Sequence, residues 1–208
     1  MSFANYWESK GHVFGECMTS PNTNLMYIHI PKNASSWTKP NLKDWGWEFY
    51  NYHKDNLSGK TPMVVLRDPV DRWLSGIAEY LYLYHDNIEI TYTFTGKGFF
   101  DLIFDRIAFD DHTEKQVYFL EGIDFSKCVF FKFGPEYREH FSRYLNTQGM
   151  TNKYGNYELQ HVSEYSPERK KFKEIFQEQL KNSKYLSQVK NYFKDDYKLI
   201  DQVQFYGR

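Results

Sequence analysis

Cysteine is scarce in this chain: Cys17 and Cys128 are the only two in 208 residues. Two thiols imply no disulfide framework, and Cys128, inside the apolar run Cys128-Val-Phe-Phe131, reads as a buried free thiol. A surplus of either charge is also missing. The formal net charge is −1 and the pI is near 6.7, which excludes a general nucleic-acid binder with its basic excess. Long hydrophobic runs are absent: no window approaches the length needed to cross a bilayer, and residues 1–10 lack the charged-then-apolar pattern of a signal peptide. Glycine is missing from residues 16 to 45, and with it the Gly-x-x-x-x-Gly-Lys-Ser/Thr loop that a P-loop kinase requires. These absences leave a cytoplasmic protein with no membrane span as the expectation.

Aromatic residues are abundant, at 20% of the chain. They suit a core built from rings with tyrosine edges at the surface, or an aromatic acceptor groove, since rings stack on sugar faces. Residues 1–24 end in the turn-rich run Thr19-Ser-Pro-Asn-Thr-Asn24 and read as an irregular lead-in. A strand is expected at about 25–30, then a helix from about Ala34 that Pro40 keeps short. Trp47 to His53 reads as a half-exposed strand, and Met63-Val-Val-Leu66 as a central strand buried on both faces. Asp68 as N-cap and Pro69 at the first position open a helix towards Tyr84, with Trp73, Ile77, Tyr80 and Leu81 on one face and Ser75 off it. Residues 86–97 read as a loop, 99–107 as a helix, Lys127 to Phe133 as a late strand, and the segment after Gly134-Pro135 as a helix to about Leu145. A loop over 146–157, a helix opened by Ser166-Pro167, and a single last helix from Gln188 to Ile200 complete the chain. No repeat or linker interrupts it. Alternating strands and helices predict one α/β domain spanning 1–208, with a mainly parallel central sheet flanked by helices.

The chain is organised around Met26-Tyr-Ile-His-Ile-Pro-Lys-Asn-Ala-Ser-Ser-Trp37. The apolar, β-branched start is a strand, and Pro31 ends its ladder. A lysine, small residues and a helix start follow, so Lys32, the amides from Asn33 to Ser36 and the Ser35 and Ser36 hydroxyls can surround an anion. The other reading is a plain strand-to-helix connection in which Ser35 or Ser36 caps the helix. A second cationic position is Arg67, at the carboxyl end of the strand 63–66, where ligands of open α/β sheets bind. Its guanidinium can fork onto a phosphate, and Ser75 can donate a hydroxyl to the same group. Alternatively, Arg67 pairs with Asp71 or Asp68, and Ser75 is an ordinary helix residue. Two anion positions at strand ends suit a ligand with phosphate at both ends.

Pro31-Lys-Asn-Ala-Ser-Ser-Trp37 resembles the 5′-phosphosulfate loop of sulfotransferases that use 3′-phosphoadenosine 5′-phosphosulfate (PAPS), and Arg67-Asp-Pro-Val-Asp-Arg-Trp-Leu-Ser75 resembles their 3′-phosphate motif. His29-Ile-Pro-Lys32 is closest to the membrane-type, carbohydrate-modifying branch. Fainter echoes are His112 to Gln116 with Phe119-Leu120, and Lys194-Asp-Asp-Tyr-Lys-Leu199. The resemblance implies a P-loop-like three-layer fold and transfer of a sulfuryl group to an acceptor hydroxyl of a glycan, lipid or small molecule, with 3′-phosphoadenosine 5′-phosphate (PAP) as product. By the same resemblance, Lys32 stabilises the departing phosphate, and Asn33, Ala34, Ser35 and Ser36 cradle the 5′-phosphate. Trp37 stacks adenine or packs in the core, and Arg67 and Ser75 grip the 3′-phosphate. Lysine, arginine and amides supply the countercharge, so donor binding requires no metal.

A general base must accept the acceptor's proton. The resemblance puts it at His53, which alternatively is a surface histidine at a strand end. His29 reads as a packed core residue, His85, His112 and His161 stay open, and Glu48 and Asp55 are lesser candidates. The chain departs from the family in reading Asn33-Ala34 where Ser-Gly or Thr-Ala is usual. It also lacks the cytosolic branch's late Arg-Lys-Gly loop, for which Lys153-Tyr-Gly155 is a substitute, and the membrane anchor of the carbohydrate branch. Competing functions are a non-catalytic PAP-binding module and, without its glycine loop, a P-loop kinase-like phosphotransferase.

Overall fold

A computed structural model of the chain describes residues 15–51, 57–85, 97–150 and 166–207. It divides into two compact units, each assembled from separated stretches of chain. Of the described residues, one unit holds those within Val13–Asp68, Gln116–Glu164 and Leu199–Arg208, and the other those within Pro69–Lys115 and Tyr165–Lys198.

The first unit carries a five-stranded sheet in the order β3-β1-β2-β4-β5. Its strands are β1 (Cys17–Thr19), β2 (Leu25–Ile28), β3 (Glu48–Tyr50), β4 (Thr61–Leu66) and β5 (Val129–Lys132). The fold is mixed α/β, but the sheet is only partly parallel: β2–β4 and β4–β5 are parallel, whereas β1 runs antiparallel to both β2 and β3. This corrects the expected mainly parallel sheet, and part of the expected irregular lead-in is strand β1. The turn Ser20–Asn24 is too short for a crossover, so β1 must pair antiparallel with β2. Ser20 fixes that turn, its hydroxyl accepting from the amides of Asn22 and Thr23 at 3.2 and 3.1 Å.

The parallel strands β2 and β4 are covered on both faces, which explains their unbroken apolar runs. On one face Tyr27, Met63, Val65 and Phe131 meet Trp37 and Leu42 of α1 (Ser35–Asp44) and Tyr137 and Phe141 of α4 (Tyr137–Thr147). On the other, Met26, Ile28, Val64 and Leu66 meet Phe119 and Leu120 of a 3-10 turn (Gln116–Leu120) and Leu199. Pro40 does not stop α1, which runs on to Asp44. The donor that Pro40 lacks would have met the Ser36 carbonyl, and Ser36 is exposed, so that carbonyl is open to solvent. The helix ends instead at Gly46, whose positive φ of 79° lets its amide reach Lys43 O at 2.8 Å while the Trp47 amide reaches Leu42 O at 3.0 Å.

The second unit is helical: α2 (Pro69–His85), α3 (Lys97–Arg106), α5 (Pro167–Gln179), α6 (Ser183–Tyr192) and the first part of α7 (Lys194–Gln202). Trp73, Ile77, Tyr80 and Leu81 of α2 are buried as their spacing predicts, and Trp73 packs edge-on against Phe176 of α5 at 5.8 Å. Gly76 admits a close neighbour: a Cβ there would lie 2.1 Å from the carbonyl oxygen of His112. Ser166 caps α5 as expected, accepting from Arg169 N at 3.3 Å. The expected single helix over Gln188–Ile200 is two, α6 and α7, divided at the buried Phe193 with φ −89° and ψ 17°.

Of the two free thiols, Cys17 is the buried one and Cys128 is half-buried, reversing the expectation for Cys128. Burial pushes them up to about 11 and about 12, so neither is a thiolate at neutral pH. No helix among the described residues is long and apolar enough to cross a membrane.

Candidate anion-binding site

Strand β2 leads into a loop whose backbone is unusual for a segment without glycine. Asn33 N donates to Ile30 O at 3.2 Å, closing a turn with Pro31 at its second position and Lys32, at φ 66°, at its third. A positive φ there is the type II signature, a place that ordinarily takes glycine. Ala34 follows, also left-handed at φ 63° and ψ 14°, as the N-cap of α1. Each such residue costs roughly 1–2 kcal/mol, so the surroundings must impose the conformation.

Asn33 supplies much of that constraint. Its side chain is fully buried, and Nδ2 donates to Val65 O at 2.7 Å and to Gln116 Oε1 at 2.6 Å. On the helix side, the Ala34 carbonyl accepts from the amides of Trp37 and Thr38 and from Thr38 Oγ1, each at 3.0 Å. Thr38 Oγ1 in turn lies 2.7 Å from Tyr137 OH.

The loop therefore presents a row of donors. The amides of Ala34, Ser35 and Ser36, and the hydroxyls of both serines, have no hydrogen-bond partner among the described residues. The N-cap position is Ala34, and no side-chain cap is made there among the described residues, so the alternative that Ser35 or Ser36 is a simple cap does not describe this helix start. Unpaired amides at a helix N-terminus, next to left-handed residues, form an anion-binding concavity.

Arg67 is joined to this loop. Its Nη1 donates to Lys32 O at 3.0 Å, its guanidinium lies 4.7 Å from the centre of the Phe133 ring, and both of its main-chain polar groups are held by Gln116. The structure thus brings together Lys32, Asn33, Ala34, Ser35, Ser36 and Arg67. Trp37 is 3% exposed, edge-on to Tyr137 at 5.7 Å and Phe141 at 6.1 Å, with the Arg138 guanidinium over its ring. It is the core tryptophan of the two readings, and its ring lacks an open face for adenine. Ser75 belongs to the helical unit, fully buried, with Oγ donating to Asp71 O at 3.1 Å.

His53, expected to be the base, lies outside the described residues, as do Asp55, His161 and Lys153-Tyr-Gly155. His29 sits just past β2, half-buried rather than in the core, and its Nδ1 is 2.6 Å from Glu16 Oε2. That hydrogen bond, outweighing partial burial, lowers the Glu16 pKa. Glu48 is exposed and accepts from Tyr50 OH at 2.6 Å.

His112 is unsuited to act as a base. Its Nδ1 donates to Asp110 Oδ2 at 2.8 Å and lies 3.0 Å from Asp111 Oδ1. Burial by itself would lower its pKa, but the bonds to the two carboxylates prevail and raise it to about 9. Arg72, also fully buried, donates to the carbonyls of Glu114 and Asp111. Burial pushes its pKa down to about 10, against the pull of Asp196, Asp111, Asp110 and Glu114. Asp110, Asp111 and His112 could each offer one ligand atom to a metal. With a guanidinium and an imidazolium already answering those carboxylates, the set is a closed ion network rather than a vacant cation site. Sequence reasoning missed Arg72 and the partner of Asn33; the only signal for the latter was Gln116 at the end of the His112–Gln116 echo.

No protein-family model, curated protein or solved structure matches this chain.

Proposed function

We propose that the chain is a sulfotransferase that moves the sulfuryl group of PAPS to an acceptor hydroxyl, carbohydrate being the acceptor class favoured by the motif and the aromatic surplus. The observation that carries this reading is the row of donors at Ala34, Ser35 and Ser36 without partners among the described residues, held between strand β2 and the start of α1. An anionic ligand would supply what these groups lack among the described residues. The parallel set β2–β4–β5 with its strand–loop–helix is the part of a P-loop-like architecture that the reading uses.

In this reaction the acceptor oxygen forms a bond to sulfur while the bond from sulfur to the bridging 5′-phosphate oxygen breaks. The acceptor's proton passes to a base, with His53 the assignment from the motif order, and the electron pair leaves with PAP. Lys32 and the amides stabilise the charge that develops on the departing phosphate. Arg67, tied to the same loop, is the 3′-phosphate ligand. Catalysis of this kind depends on positioning and charge. Two free thiols fit a reducing compartment, and we place the reaction in the cytoplasm.

Calorimetric titration with PAP, with AMP and ATP as controls and no metal added, tests this. Tight PAP binding with weak AMP and ATP binding supports the two-phosphate reading. Absence of PAP binding, or a preference for magnesium-ATP, overturns it.

A further inference from the structure

Gln116 opens the 3-10 turn behind the sheet and is fully buried. A glutamine amide has two donors and an acceptor oxygen with two lone pairs. Here Oε1 accepts from Asn33 Nδ2 at 2.6 Å and from Arg67 N at 3.0 Å, and Nε2 donates to Arg67 O at 2.9 Å. Three bonds thus go to two residues, one in the anion loop and one at the end of β4.

The arrangement follows from where strand β2 stops. The last β4 carbonyl, of Leu66, accepts from Phe133 N at 2.7 Å, on the side of β5. Successive residues of a strand direct their polar groups to alternate sides, so Arg67 presents its amide and carbonyl to the side of β2. There β2 has already ended at Ile28 and the chain has turned into the loop. The Gln116 amide takes the ladder position that β2 leaves, pairing with Arg67 as a neighbouring strand would. It then bonds Asn33, which reaches Val65 O on the same strand, and Arg67 Nη1 returns to Lys32 O. Loop and arginine form one closed ring of hydrogen bonds; the two from Asn33 are fully buried, where the low dielectric makes a bond stiff, and the three to Arg67 are half-buried.

We infer that Gln116 is a positioning residue that fixes the separation of Lys32 and Arg67, and so makes the site selective for a nucleoside bisphosphate over a monophosphate. The ligand part of this inference rests on the proposed function; the clamp itself does not. Loss of the clamp lets the loop and the arginine move independently. A ligand that touches only the loop tolerates this, whereas one that spans both groups does not.

Gln116→Met keeps the volume and removes all three bonds. Hydrogen–deuterium exchange of the ligand-free protein, read on peptides covering residues 30–38, is expected to rise about tenfold while β5 and α4 peptides are unchanged. Titration is expected to show PAP affinity falling about tenfold and AMP affinity changing much less. Should Gln116→Met not fold, Gln116→Glu is read in the same way; it keeps the acceptor towards Asn33 and loses the donor to Arg67 O, and its loop exchange is expected to exceed wild type. Unchanged loop exchange in a folded variant overturns the clamp, whatever the ligand. Faster exchange with equal losses for PAP and AMP overturns the role in selectivity. A wild-type protein that binds no PAP overturns the ligand reading alone, and faster loop exchange in the variant then still upholds the clamp.

Discussion

The anion loop and the Arg72 cluster are made of similar material and arranged to opposite ends. In the helical unit, Arg72 is surrounded by Asp110, Asp111, Glu114 and Asp196, its donors meet main-chain carbonyls, and His112 is held by two carboxylates. The nearby Thr113 hydroxyl accepts from the amides of Phe109 and Asp110. Cations, anions and hydroxyls there answer one another. In the sheet unit, two non-glycine residues, Lys32 and Ala34, are forced into left-handed conformations, and the donors next to them have no partner among the described residues. Charge that is buried and mutually answered serves the fold; donors left unanswered beside enforced strain point to something that binds.

The comparison breaks most readily at Arg72. Arg72→Ala strands several buried acids and is expected to cost about 3–5 kcal/mol in urea unfolding; a loss below about 1 kcal/mol would mean the cluster is not a structural network. The second test is pH. The His112 pKa is raised from 6.5 to about 9, so its stabilising contribution is whole below pH 6.5 and is lost as pH rises through 9. Up to about 3 kcal/mol should disappear over that window, measured as a falling melting temperature, and His112→Gln should flatten the profile. A wild-type melting temperature that is constant from pH 6 to pH 10, as rough limits either side of that window, contradicts the assignment.

Smaller effects sharpen the other side. Arg67→Ala is expected to weaken PAP binding by roughly thirtyfold, about 2 kcal/mol, and AMP binding far less. Equal losses would remove the 3′-phosphate assignment. Ala34→Gly relieves a left-handed alanine without touching the open amides, and should stabilise the protein by up to about 1 kcal/mol. Destabilisation on chemical unfolding would show that the alanine methyl is needed where it packs.

Much of the site could be read from residue order. An apolar β-branched run, a proline, small residues and a helix start identify the loop, and the buried run 63–66 followed by Asp68-Pro69 identifies the second strand end. The loop's conformation could not be read, because glycine normally marks left-handed positions and here lysine and alanine occupy them. Strand β1 has only three residues, too few for alternation to register. The burial of Arg72 and of Ser75, placed off the apolar face by its spacing, escaped because a periodicity count scores apolar residues alone, yet both are fully buried on α2. Gln116 lies 83 residues from Asn33, and no local pattern reports a bond across that distance. The last helix pattern ran on through Phe193 because the break there carries no proline or glycine.

The left-handed backbone at Lys32 has a consequence for selection experiments. In a library screened only for resistance to proteolysis, codon 32 should drift towards glycine, which adopts φ 66° without strain. Screened for turnover, the same codon should hold lysine against that drift. At Ala34 both screens should enrich glycine. Opposed enrichment at one position and agreement two residues away would separate what the chain needs to fold from what it needs to act.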